Sequence, residues 1–300
     1  MSKNPDPILI HSLFGIDGLN IRWYGVLMAA GIITAILFAE HESKRRGLPK
    51  NTIPILSLIC IPAGVIFARL FYVLFSLDKF HSFMDVIRIT DGGLAMYGAF
   101  AGGIAGLLIY SKIKKLSPVI LLDAVIPGVA LAQSIGRWGD FFNQEAYGPI
   151  VADPGHMWFP LAVKIDALNE IHYAAFFYES VWCLLIFIFL WFILRKHAKH
   201  NGDISLSYAA LYGFERMFVE FLRTDSLMAG SIRVSQLLSA LLFLGSLLFI
   251  ILRYFREKKS ASIICSGNSG TEKENGIDKS DSASLKPYLK ADENEVQLKS

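Results

Sequence analysis

The chain has 300 residues, 53% of them hydrophobic and 18% charged, with a formal net charge of +3. Soluble domains carry about a quarter charged residues, and here the apolar residues stand in long unbroken blocks, which excludes an ordinary water-soluble globule. A small net charge scattered along the chain also gives no footprint for a nucleic acid partner.

In chain order, residues 1–20 show no basic n-region and no cleavable signal, so the first span is expected to direct insertion itself. A membrane helix needs roughly 20 apolar residues. Seven segments qualify, at about Ile21–Ala39, Ile53–Phe75, Leu94–Tyr110, Val119–Ile135, Ala174–Leu194, Ile204–Leu222 and Val234–Leu252. The fourth carries Pro127 and Gly128, and the sixth is interrupted by Glu215, Arg216 and Glu220. Basic residues gather at every second connection. They are Lys44, Arg45, Arg46 and Lys50, then Lys112, Lys114 and Lys115, then Arg195, Lys196 and Lys199, then Arg253, Arg256, Lys258 and Lys259. The positive-inside rule assigns all four groups to the cytoplasm. The expected architecture is therefore an all-α polytopic membrane protein of about seven transmembrane helices, N-terminus outside and C-terminus cytoplasmic. Residues 1–255 form the membrane domain, and the polar stretch 256–300 is expected to be a disordered cytoplasmic tail. The cysteines, Cys60, Cys183 and Cys265, fit neither a zinc site nor a disulfide framework and are expected to have no chemical role.

Ionisable groups in a membrane are costly and usually face a cavity or a partner. Here they cluster at the outer ends of the spans. Arg22-Trp23-Tyr24-Gly25 opens the first span, Asp91 through Gly98 opens the third, and Tyr178-Glu179 lies at the start of the fifth. Tyr212, Arg216, Glu220 and Arg223 run along the sixth. Several of these have plain structural explanations. Trp23 and Tyr24 suit interface anchors, and Gly98, Gly102 and Gly106 have the small-residue spacing that lets helices approach closely. Arg216 and Glu220, four apart, suit a buried ion pair, and Arg223 can snorkel to the surface. Segment 136–148 resists such an account. Three glycines, Arg137, Asp140, Asn143, Gln144 and Glu145 share thirteen positions with aromatics. Glycines there permit turns, and irregular backbone at membrane depth is tolerated when it lines a wet cavity. A cavity lined by Arg137 and Arg216 suits an anionic head group, because the planar guanidinium fork matches phosphate.

This pattern resembles the bacterial phosphatidylglycerol–prolipoprotein diacylglyceryl transferases, from about Arg22 to Leu252. The most specific element is Gly136-Arg137-x-Gly-x-Phe-x-Asn143-x-Glu145-x-x-Gly148. Arg22-Trp23-Tyr24-Gly25, Gly92-Gly93-Leu94, Tyr178-Glu179, Arg216-x-x-x-Glu220-x-x-Arg223 and Ser235-Gln236-x-x-Ser239 match in type and order. Three positions depart from the family pattern. Asp140 stands where Asn is usual, Tyr97 where His is frequent, and Tyr173 follows His172 where Pro is usual. A carboxylate at 140 either competes with phosphate for Arg137 or is held neutral in a low-dielectric pocket.

The resemblance implies transfer of a diacylglyceryl group from phosphatidylglycerol to the lipobox cysteine of a prolipoprotein signal peptide, at the extracytoplasmic face of a bacterial cytoplasmic membrane. A thioether forms, glycerol phosphate leaves, and no cofactor is needed. It implies Arg137 as the phosphate grip and Arg216 as the stabiliser of leaving-group charge. Glu145 would orient Arg137 or act as base, and Tyr24 and Tyr97 would contact the head group or relay a proton. Asn143 and Gly148 would shape the loop, with Asp140 beside the bound phosphate. Two other readings compete with this one: a catalytically impaired lipid-binding paralogue, and a small-solute transporter. Transporters often show internal repeats, and no repeat relates the halves of this chain.

Overall fold

The computed structural model describes residues 5–12, 20–77, 80, 82–88, 92–222, 228–229 and 232–271. Helices dominate: α1 (Trp23–Arg45), α2 (Thr52–Leu74), the short α3 (Phe83–Ile87), α4 (Met96–Lys114), α5 (Pro118–Asn143), α6 (Ala175–Ile188), α7 (Arg195–His197), α8 (Asp203–Leu222) and α9 (Val234–Thr271). A π-helical stretch, Phe189–Leu194, joins α6 to α7 into one continuous rod. Among the described residues, three antiparallel hairpins accompany the helices: β1 (Ile8–Ile10) with β2 (Ile21–Arg22), β3 (Ala162–Ile165) with β4 (Glu170–Tyr173), and β5 (Met228–Ala229) with β6 (Ile232–Arg233).

Among the described residues, six helices are long and apolar enough to cross a bilayer: α1, α2, α4, α5, the α6–α7 rod and α9. A helix of 23 residues such as α1 is about 35 Å long, enough for a hydrocarbon core of about 30 Å. The seventh expected segment forms helix α8, whose charged residues keep it out of that set. Large side chains such as Leu58, Ile66, Leu37 and Leu248 are more than half exposed along these helices. In water such a surface would aggregate; facing lipid it costs nothing, because acyl chains are as apolar as leucine.

The helices meet through small residues. Gly98, Gly102 and Gly106 are buried, and a Cβ added to Gly98 or Gly102 would run into the α2 backbone at Phe67 or Ala63. On α5, a Cβ at Gly128 would stand 2.6 Å from the carbonyl oxygen of Ala35 on α1. The two helix pairs α2/α4 and α1/α5 are thus close-packed on glycine faces, the arrangement available where lipid supplies no hydrophobic drive between helices.

Arg69 ties together several carbonyls of the connection from α2 to α4. Arg69 donates Nε to the Val86 carbonyl, Nη1 to Gly92 and Gly93, and Nη2 to Asp85 and Arg88, at 2.7–2.9 Å. Gly93 has φ +77°, and a Cβ there would collide with Arg69 and Tyr72, which explains the glycine.

Two expectations shift. The glycines of 136–148 do not end the helix. α5 continues through Gly136–Asn143 and stops at Gln144, whose φ of 54° turns the chain out. Gly139 serves close packing there, since its missing Cβ makes room for the Tyr24 ring. At the other end, α9 runs to Thr271, so residues 256–271 extend the last helix. Residues 272–300 of the expected tail, together with Asp91 and Arg223, lie outside the described residues.

Candidate active site

The C-terminal turns of α5, the first turns of α6 and the second half of α8 converge on a buried cluster of charge. Arg137 projects from α5, Glu179 from α6, and Arg216 and Glu220 from α8. Oε2 of Glu179 accepts Nη2 of Arg137 at 2.5 Å and Nη1 of Arg216 at 3.2 Å. One carboxylate oxygen therefore brings the two guanidinium groups together. Arg216 also donates Nη2 to Glu220 at 3.2 Å, one turn along the same helix, and Arg137 donates Nη1 to Asp140 at 3.1 Å. Glu179, Arg216 and Glu220 are all buried.

The reason for this convergence is electrostatic. A guanidinium inside the bundle needs anions within hydrogen-bonding reach, and a lone carboxylate there would be equally costly. Each group here neutralises another. The carboxylates differ in depth: Glu179 has a side-chain exposure of 1%, whereas Asp140 has 14% and Arg137 19%. Asp140 is thus the more accessible of the two carboxylates on Arg137, and Glu179 the more deeply buried.

Aromatic rings enclose the end of α5. Trp23 stacks on Phe142 at 5.1 Å, and Trp138 contacts Phe141, Phe159, Phe176 and Phe177. Tyr24 lies against Gly139, two residues from Arg137. On α8, Tyr212 precedes Arg216 by one turn and stacks on Tyr208, whose hydroxyl donates to Gln133 on α5. The side chain of Asn143 is half-buried in the last helical turn rather than in a loop.

The remaining expected residues lie outside the ion pairs themselves. Glu145 is exposed beyond the helix end, with its backbone N–H donating to the Asp140 carbonyl. Asp140 and Glu179 are ion-paired with Arg137. Gly148 is buried and clamped to β4: its N–H donates to the Tyr173 carbonyl at 2.8 Å, and its carbonyl is 2.7 Å from Nδ1 of His172. The Tyr173 N–H donates to the Pro149 carbonyl at 3.0 Å, a bond that the proline usual at that position could not make. Tyr97, on α4, shares a hydrogen bond of 2.9 Å with Ser235 on α9, so two of the sequence motifs meet there. In the loop after α5, the carboxyl of Asp153 is held below its ordinary range by the Gly155 N–H and by His156.

The sequence places Glu179 beside Tyr178 but gives it no part in the site. The available signal was a carboxylate in an apolar span with no basic residue on its own helical face nearby, which demands a cation from another helix.

A sequence model of the family described as prolipoprotein diacylglyceryl transferase matches residues 11–252. The chain is 41% identical over 244 residues to a phosphatidylglycerol–prolipoprotein diacylglyceryl transferase of Limosilactobacillus reuteri (strain DSM 20016), covering 78% of this chain and 87% of that one. It is 40% identical over 254 residues to the protein of that name in Clostridioides difficile (strain 630), covering 84% and 96%. With the Listeria welshimeri protein of that name the identity is 38% over 270 residues, covering 86% and 96%. The match takes in every residue of the arginine cluster, and the chain belongs to the prolipoprotein diacylglyceryl transferase family.

Proposed function

We infer that this chain is a membrane-integral transferase that moves the diacylglyceryl group of phosphatidylglycerol to a prolipoprotein thiol, the first step of lipoprotein maturation. The observation that carries the reading is the pairing of Arg137 and Arg216 through the buried Glu179. The names of the relatives point to the same substrates.

In the proposed reaction, the lipid phosphate approaches the exposed edge of the cluster and takes the place of Asp140 on Arg137. The guanidinium fork then binds two phosphate oxygens. The sulfur of the acceptor, the cysteine of a lipobox in a signal peptide, loses its proton and attacks the terminal glyceryl carbon of the diacylglycerol moiety. The C–S bond forms as the C–O bond to phosphate breaks, and the bonding pair leaves on glycerol phosphate. Arg216 faces the charge that grows on that oxygen, in a low-dielectric setting where a fixed donor is worth most. A free cysteine has a pKa near 8.5, so a base speeds the step. Glu145 and the hydroxyls of Tyr24 and Tyr97 are the proposed routes for that proton. Asn143 and Gly148 hold the chain that follows α5 against the site.

The alternation of basic connections supports an orientation with these groups at the extracytoplasmic face of a bacterial cytoplasmic membrane. The decisive assay uses purified protein in vesicles of defined lipid with a synthetic lipobox peptide. The peptide should gain the mass of a diacylglyceryl group when phosphatidylglycerol is present and not with phosphatidylethanolamine alone. No mass gain under either condition would defeat the reading.

A further inference from the structure

At the end of the bundle opposite Arg137, a second set of arginines surrounds an open recess. Asp123 and Arg137 are both on α5, fourteen residues and so about 21 Å apart along the helix axis. Asp123 is fully buried and caps α8 from another helix, accepting the N–H groups of Gly202 and Ser205 at 2.7 and 2.9 Å and the Ser205 hydroxyl. Arg46 reaches the same carboxylate at 3.4 Å and Glu42 at 2.9 Å. Glu42, also fully buried, further holds Arg45 at 3.1 Å and Arg195 at 3.5 Å.

These bonds fix the arginines by their inner edges. Among the described residues, Nη1 of Arg45 and Nη2 of Arg46 make no hydrogen bond. Arg45, Arg46, Ala198, Lys199, His200 and Asn201 line a recess of about 200 Å³, several times the ~30 Å³ share of one water molecule. The turn at its rim is itself braced, because Asp203 accepts the N–H groups of both Lys199 and His200. Arg45, Arg46, Arg195 and Lys199 outnumber Glu42, Asp123 and Asp203, so a positive excess faces the opening.

We propose that this recess binds a phosphate group, held by Arg45, Arg46 and Lys199 and separate from the substrate cluster at Arg137. The arginines are pre-positioned by buried carboxylates, so binding immobilises few side chains. The phosphate belongs either to a lipid head group of the leaflet at that end of the bundle or to a free phosphate; basic pockets between membrane helices suit both. The inference is independent of the transfer reaction.

The test compares wild type, Lys199→Ala, Lys199→Glu and the charge-reversal control Lys112→Glu, all as full chains in detergent. Lys199 is exposed and holds Asp203 through its backbone N–H alone, so these variants should keep the wild-type melting temperature in sodium chloride. Native mass spectrometry counts phosphatidylglycerol adducts over a titration, and melting curves with sodium phosphate, against sodium chloride at equal ionic strength, report free phosphate. One adduct class should weaken roughly fivefold in Lys199→Ala and roughly thirtyfold in Lys199→Glu, the scale of one and two surface charges beside an anionic lipid, while Lys112→Glu leaves it unchanged. Unaltered lipid adducts with loss of phosphate-specific stabilisation in Lys199→Glu would assign the site to free phosphate. If neither readout separates Lys199→Glu from wild type, or if Lys112→Glu does the same damage, no site exists there.

Discussion

In the proposed reaction Arg137 recognises the phosphate, and Glu179 positions Arg137 and Arg216. Arg137→Lys keeps a cation beside Glu179 but loses the planar fork. Transfer to the peptide should fall by about 10³-fold, the scale of losing a transition-state donor, with little change in thermal stability. Activity within a few-fold of wild type would remove Arg137 from the phosphate-binding role. Glu179→Gln acts differently, because it preserves shape while taking the shared anion from two buried guanidinium groups. Breaking a buried pair in this way costs about 3 kcal/mol, and that loss should appear as easier unfolding in denaturing detergent together with about 10²-fold slower transfer. A variant that melts like wild type would show that Arg137 and Arg216 do not depend on it. The arginines were legible in the sequence because cations in an apolar span advertise themselves. Glu179 was harder to read, since its importance comes from three helices meeting and nothing local to Tyr178-Glu179 encodes that meeting.

For the helices, hydropathy carried most of the information. The apolar blocks and the basic connections located the spans, because length and charge are the two properties that the bilayer selects. Segment 136–148 shows where composition misleads. Its glycines suggest a turn, yet Gly139 exists to admit Tyr24, and Gly136–Asn143 keeps helical backbone. A glycine freed from its Cβ serves a bend or a close approach equally well, and the neighbouring helix decides which. On α4 the same residue type marks an approach, with the α2 backbone filling the space at Gly102. Gly102→Leu should therefore force α2 and α4 apart and lower stability by about 3 kcal/mol, measured by thermal unfolding in detergent. A bulky side chain tolerated there without loss would mean that the two helices are not in close contact in the folded protein.

Across the whole molecule, charge sits at both ends of a lipid-facing bundle, with the Arg137 cluster at one end of α5 and the Asp123 cluster at the other. The proposed orientation puts the loop at Asp153 outside and the turn at Asn201 in the cytoplasm. With the native cysteines replaced by serine, a membrane-impermeant maleimide added to intact cells should label Asp153→Cys and spare Asn201→Cys until the membrane is opened. The reverse pattern would invert the protein and move the site to the cytoplasmic face. The Arg69 clamp bears on how the same molecule meets a protease. Trypsin cleaves after arginine by polarising that residue's carbonyl in an extended strand, and the carbonyl of Arg88 is already engaged by Arg69 at 2.7 Å. The peptide bond after Arg88 should survive digestion of the wild-type protein and be cut quickly in Arg69→Gln, so the guanidinium that shapes the connector also shields a tryptic bond within it.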